Sequence, residues 1–147
     1  MTKYVLDTNL YVQAYRSEAA ADELAQFYAT FTPATYLSSV VLHELLVGAT
    51  SPAKGQEILR SLARPFQRTG RVVAPSAQAW QIAGEAIAQM ARREKLDLRG
   101  MPKSLVNDFL LAASCREAGL TLVTGNAKDF ALINRYVKLS YTAPWPA

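Results

Sequence analysis

Tyr4-Val5-Leu6-Asp7-Thr8-Asn9 is the stretch whose reading decides the fold. Three apolar residues end abruptly in an acid, a hydroxyl and an amide. This predicts a short buried strand that delivers a carboxylate to its C-terminal end and turns at once into a helix. In open α/β sheets, ligands sit beyond the strand C-termini. A plainer reading stays open here: Asp, Thr and Asn are good N-caps, and Asp7 or Thr8 then only starts the helix from Leu10 onward. The choice turns on whether other acids occur at equivalent places.

Working outward, Leu10 to Tyr15 reads as a short helix, and Glu18 to Thr30 as a second with Leu24, Phe27 and Tyr28 on one face. Thr32-Pro33-Ala34-Thr35 breaks the pattern before a brief strand, Tyr36 to Ser39, and a helix, Val40 to Gly48. Ser51-Pro52 opens a further helix running to about Leu62, with Ser at the N-cap and Pro in the first turn. Arg71-Val72-Val73 predicts a strand. Ser76 to about Lys95 predicts a long helix whose Trp80, Ala83, Ile87 and Met90 or Ala91 form a buried stripe. Beyond a polar segment broken by Gly100 and Pro102, Leu105 to Ala118 is helical and stopped by Gly119. Thr121 to Thr124 reads as a strand, Ala127 to Asn134 as helix, Val137-Lys138-Leu139 as a last strand, and Pro144-Trp145-Pro146 as an irregular tail. Strands alternating with helices predict an α/β fold, a mostly parallel sheet covered on both faces, in one domain over residues 1–147.

Composition narrows the classes. The chain is 50% apolar and 19% charged, which excludes a disordered protein. A net charge of +4 suits a nucleic-acid partner without establishing one. The single Cys115 rules out an internal disulfide framework and fits a reducing, cytoplasmic setting. Asp7 interrupts any apolar signal core, and no stretch approaches the length of a membrane span. With one histidine in the chain, any metal here is held by oxygen, which favours Mg²⁺ or Mn²⁺.

Three further acids lie in apolar or strand-end positions. Steps of three and four from Glu44 reach Val40, Val41, Val47 and Gly48; the same steps from Asp108 reach Leu105, Leu111 and Ala112. Asp129 follows the strand end Thr124-Gly125-Asn126. Each has an ordinary alternative: a helix-edge acid or ion pair for Glu44 and Asp108, turn and N-cap chemistry for Asn126 and Asp129. Burying a carboxylate costs several kcal/mol unless a partner compensates. If the acids converge, each pair ~4 Å apart costs about 4 kcal/mol at an effective dielectric of ~20. Hydrogen bonds at about 1 kcal/mol each do not offset several such pairs, whereas a divalent cation does. Such sites suit phosphodiester chemistry.

Asp7-Thr8-Asn9, Glu44-Leu45, Asp108 with Leu111-Ala112-Ala113, and Thr124-Gly125-Asn126-Ala127-Lys128-Asp129-Phe130 resemble the PIN-domain ribonucleases, especially the VapC-type toxins of toxin–antitoxin pairs. The resemblance runs over nearly the whole chain in the right order. It implies a small three-layer α/β/α sandwich, Mg²⁺-dependent RNA cleavage, inhibition by a VapB-like antitoxin, and a homodimer. It also implies that Asp7, Glu44, Asp108 and Asp129 are the acidic quartet. Two features depart from the family pattern. Gly100 to Asn107 only loosely matches the usual lead-in to the third acid, and Asn126 stands where some relatives carry an acid, so either Asn126 or Asp129 can serve as the fourth group.

Other residues have secondary readings. Thr8 and Thr124 either hold acids or water through their hydroxyls or act as plain turn residues. Arg92, Arg93, Lys95, Arg99 and Lys103 form a solvated helix end that also leads toward Asp108 and so can guide an RNA backbone. His43 is expected to face away from the site, because neighbouring helix positions point ~100° apart. Cys115 reads as core. Two rival classes remain: a non-catalytic PIN-like module that binds RNA or protein, and a phosphate-handling receiver-like domain. The latter needs a second acid directly after the first strand and a strand-end lysine, and Thr8-Asn9 and Thr124-Gly125 supply neither.

Overall fold

A computed structural model describes residues 1–146; Ala147, the last residue of the predicted domain, lies outside the described residues. Five parallel strands form one sheet in the order β3-β2-β1-β4-β5: β1 Tyr4–Leu6, β2 Thr35–Ser38, β3 Val72–Val73, β4 Thr121–Val123 and β5 Ser140–Thr142. The helices are α1 Thr8–Arg16, α2 Glu18–Phe31, α3 Ser39–Val47, α4 Pro52–Ile58, α5 Arg64–Arg68, α6 Ala77–Glu94, α7 Lys103–Ala118 and α8 Ala127–Ile133. They cover the sheet as an α/β/α sandwich, the architecture expected for buried parallel strands. The three central strands supply the sheet's buried apolar residues: Val5, Leu6, Leu37, Leu122 and Val123 join Phe109, Leu111 and Phe130 in the core.

Chain order explains where a site forms. From β1 the chain moves one way along the sheet to β2 and β3, then crosses back to add β4 and β5 on the other side of β1. The direction reverses between β1 and β4, and at such a switch point a crevice opens beyond the strand C-termini. Backbone bonds bring these two ends together: Asp7 N–H donates to Val123 O at 2.9 Å, and Thr124 N–H to Thr142 O at 3.0 Å.

Local chemistry sets the helix ends. Ser17, Ser38, Ser51 and Ser76 each accept a backbone N–H at a helix start, and Gly119 at φ 68° provides the left-handed residue that closes α7. Helix α1 begins two residues earlier than expected, because Asp7 is its N-cap.

Three sequence expectations need correction. Trp80 is 60% exposed, and α6 buries Ala79, Ala83, Ala86, Met90 and Ala91 instead. That stripe of small residues allows close packing on α7, which a Trp in the stripe would prevent. The last strand is Ser140–Thr142, not Val137–Leu139. Val137 is fully buried in the turn that closes α8, its N–H bonded to Ile133 O, so the apolar signal there belonged to a helix end. The helix after Pro52 runs past Leu62 through a π-type turn, Leu59–Ala63, into α5. Pro65 lacks the N–H that a regular turn needs, and a widened turn accommodates it. The tail is irregular as expected; Trp145 stacks on Phe27 with ring centres 5.2 Å apart and donates to Glu23 Oε2.

Candidate active site

Asp7 sits at the end of β1 and is 5% exposed. Its Oδ1 accepts the Thr8 N–H at 2.8 Å, and its Oδ2 accepts the Thr124 hydroxyl at 2.7 Å. The two readings of Asp7 are therefore compatible: the carboxylate caps α1 and also faces the crevice. Burial raises its pKa; the two hydrogen bonds oppose this, while Glu44 and Asp129 add to it by repulsion.

The other three acids arrive on helices. Glu44, on α3, accepts the Thr8 hydroxyl on Oε1 at 2.8 Å. Asp108 lies in the second turn of α7, which packs against α3, β4 and α8. Asp129 is in the first turn of α8 and accepts Asn126 Nδ2 on Oδ2 at 2.7 Å. Asn126 does not cap α8 with its side chain; it spends its amide on Asp129, and its N–H donates to Thr124 Oγ1 at 3.0 Å. Thr8, Thr124 and Asn126 thus each hold an acid in place.

The four acids sense one another. The Asp108 carboxyl is pushed up to about 8, first by burial and then by repulsion from Asp7, Glu44 and Asp129. No ion pair among the described residues involves any of the four; the pairs are Arg60–Glu57, Arg99–Asp97 and Arg135–Glu94. None of the four is paired to a basic side chain among the described residues.

This donor set fits a hard divalent cation. No three His, Cys, Asp or Glu side chains among the described residues stand close enough together to hold a metal ion by themselves. Mg²⁺ does not require that: it keeps several waters and binds through one or two carboxylates plus substrate phosphates.

Sequence reasoning missed Asn9 as a member of this neighbourhood, although it stands in the opening motif. Its Oδ1 is buried without a hydrogen-bond partner among the described residues, and its Nδ2 lies 3.5 Å from where a side chain on Gly125 would begin. A buried amide oxygen left unmatched costs on the order of 1–3 kcal/mol, which a bound water or ligand recovers. The signal was its place in Asp7-Thr8-Asn9, next to Thr8 and two residues from Asp7, both hydrogen-bonded site groups.

The remaining expectations fall on either side. Arg92, Arg93, Lys95, Arg99 and Lys103 are all exposed, and none bonds to the four acids. His43 is exposed. Cys115 is buried, its thiol pushed up to about 12 by burial and by the charge of Asp7, which makes it core and not a nucleophile. No helix among the described residues is long and apolar enough to cross a membrane.

Comparison with known proteins agrees with this fold. The family model described as PIN domain matches residues 4–135. Among solved structures, the chain is similar to a DNA-bound VapBC from Salmonella typhimurium, at 23% identity, 97% of this chain and 98% of that one, and a TM-score of 0.70. It is also similar to FitAcB from Neisseria gonorrhoeae, at 20% identity, 98% and 99% coverage, and a TM-score of 0.66. VapBC2 from Rickettsia felis, bound to a promoter DNA fragment, is 24% identical over 99% of this chain and 100% of that one, with a TM-score of 0.62. No curated protein matches the chain.

Proposed function

Because this chain belongs to the PIN-domain family, we propose that it is an endoribonuclease dependent on Mg²⁺ or Mn²⁺, acting as the toxin of a toxin–antitoxin pair. One observation carries this reading: burial and the charges of neighbouring acids raise the pKa values of Asp7 and Asp108, and no basic side chain among the described residues is paired to Asp7, Glu44, Asp108 or Asp129. A fold that keeps such a cluster needs positive charge from outside the chain, and a divalent ion with an RNA phosphate supplies the matching chemistry.

Asp7 and Asp108 would hold the ion, with Glu44 and Asp129 either orienting its waters or holding a second ion. When bound, Mg²⁺ supplies charge stabilisation at the scissile phosphate and lowers the pKa of a water for attack. The chain's own part is positioning. Thr124 and the Thr8 N–H fix both oxygens of Asp7, the Thr8 hydroxyl fixes Glu44, and Asn126 fixes Asp129. No described hydrogen bond restrains Asp108, whose carboxyl is free to take up or release a proton near neutral pH.

The partners follow from the same reading. RNA is the substrate, and Arg92, Arg93, Lys95, Arg99 and Lys103 flank its approach. A VapB-like antitoxin is the inhibitor; VapBC and FitAB complexes are among the solved structures that share this fold. Little apolar surface on α2 and the helix after Pro52 is free for it. Phe27 and Leu62 are core residues, while Leu24, Tyr28 and Leu59 are half-buried against that core. What remains is a groove of about 240 Å³ lined by Tyr11, Leu24, Tyr28 and Leu62. Self-association has exposed apolar side chains available in Val47 and Trp80.

The test is cleavage of a labelled RNA by wild type and Asp7→Asn, with Mg²⁺ and with chelator. Cleavage confined to wild type with metal supports the reading. Equal cleavage by Asp7→Asn removes the catalytic assignment.

A further inference from the structure

Glu44 has two neighbourhoods. On one side it joins the acid cluster. On the other it lines a cavity of about 500 Å³ between α1, α3 and α4, which also holds Val12, Tyr15, Arg16, Lys54 and Ile58. The mix is unusual for a surface hollow. Ile58 is buried and Val12 half-buried, so the floor is apolar, while Tyr15 is 54% exposed at the wall. Arg16 and Lys54 have no acidic partner among the described residues; Lys54 Nζ bonds only to the Thr50 hydroxyl, at 3.0 Å. Glu57, the other acid of the cavity, is engaged with Arg60.

Electrostatics gives these cations a task. Four acids attract a metal ion but repel a phosphodiester, so a polyanion must be gripped nearby by positive charge. Helix α1 links the two places. Thr8, which donates to Glu44, lies at i, Val12 at i+4, and Tyr15 and Arg16 at i+7 and i+8. They share one face, and from Thr8 to Arg16 the helix rises about 12 Å. At ~3.4 Å per stacked nucleotide this is room for about three nucleotides.

We propose that this cavity is a subsite for a ribonucleotide flanking the scissile phosphate, with Tyr15 stacking on its base and Arg16 and Lys54 holding the adjoining phosphates. The proposal rests on the ribonuclease reading. Aromatic stacking tolerates any base, so the subsite adds affinity and fixes register without dictating sequence. Substrates too short to reach it are bound weakly.

The experiment uses the full chain and a labelled single-stranded 12-nucleotide RNA of mixed sequence. Binding is measured by anisotropy in an Asp108→Asn background, and cleavage in the wild-type background. Tyr15→Ala should weaken binding roughly tenfold, and Tyr15→Phe should restore it, because the ring is what stacks. Arg16→Ala and Lys54→Ala should each lower the slope of log affinity against log salt by roughly 0.7. In cleavage, the loss should fall on KM and not on kcat, and should vanish for a dinucleotide, which is too short to reach from the acids to Tyr15. Circular dichroism checks that the variants fold. If wild type cleaves RNA while all three alanine variants bind it as tightly as the parent, the subsite is overturned and the ribonuclease reading stands. If wild type cleaves no RNA, both fall. If the variants lose affinity only for a helical antitoxin peptide, the cavity belongs to a protein partner and the proposal is overturned.

Discussion

Removing the charge of Asp108 should stabilise the metal-free protein, and by more as the pH rises. The Asp108 carboxyl, pushed up to about 8 by burial and by three neighbouring acids, is protonated in the folded state at pH 5 and half-ionised near pH 8. In the unfolded chain it ionises near 4. Between these values the folded state holds one proton more than the unfolded state, so stability falls as pH rises, by about 1.4 kcal/mol per pH unit. From pH 5 to pH 8 this is about 4 kcal/mol. Glu44, Asp108 and Asp129 are only half-buried; water at the open side of the site screens the effect to about 2 kcal/mol. Asn at this position titrates nothing and keeps nearly the same shape. The gap between Asp108→Asn and wild type should therefore widen by about 2 kcal/mol between pH 5 and pH 8, roughly 4–8 °C in Tm for a domain of this size. The assay is thermal unfolding of both proteins in chelator at the two pH values. Saturating Mg²⁺ at pH 8 should close the gap, because the ionised carboxylate then has a partner. A gap independent of pH, or a variant less stable than wild type at pH 8, refutes the claim that the acids converge.

In chelator, Asp7→Asn should cost about 1 kcal/mol of stability, since the amide cannot accept from the Thr124 hydroxyl as Oδ2 does; RNA cleavage with Mg²⁺ should fall at least a hundredfold, read by gel. Mg²⁺ at 100 times its dissociation constant should add about 2.7 kcal/mol to wild type, measured as a Tm rise that Asp108→Ala largely removes. Thr124→Val leaves Asp7 Oδ2 and the Asn126 N–H without a common partner and should cost on the order of 2 kcal/mol by denaturant unfolding, with a still higher Asp7 pKa by NMR. An antitoxin that inserts an Arg among the acids should bind more weakly as Mg²⁺ rises at fixed ionic strength; an affinity unchanged by Mg²⁺ and by Asp7→Asn shows that it binds elsewhere.

The sequence alone determined the fold class and singled out the four acids as candidates. Period and punctuation carry that information locally: an apolar triplet ending in Asp7, helix stripes interrupted by Glu44 and Asp108, serines and Gly119 at helix ends. Where local signals misled, a distant contact had changed their meaning. Trp80 fits a helical stripe, but which stripe is buried is set by the packing of α6 on α7, and α6 buries four alanines and Met90 instead. Val137 to Leu139 looks like a strand, yet Val137 closes α8, and polar Ser140–Thr142 takes the sheet's edge, where a strand is paired on one side only. Tertiary structure alone decided the rest. Thr124 meets Asp7 across 117 residues and Thr8 meets Glu44 across 36, because strand order brings β4 beside β1 and helix packing turns α3 toward α1. No periodicity encodes such pairings: sequence specifies which way a side chain faces on its own element, and only the packing of elements specifies what it faces.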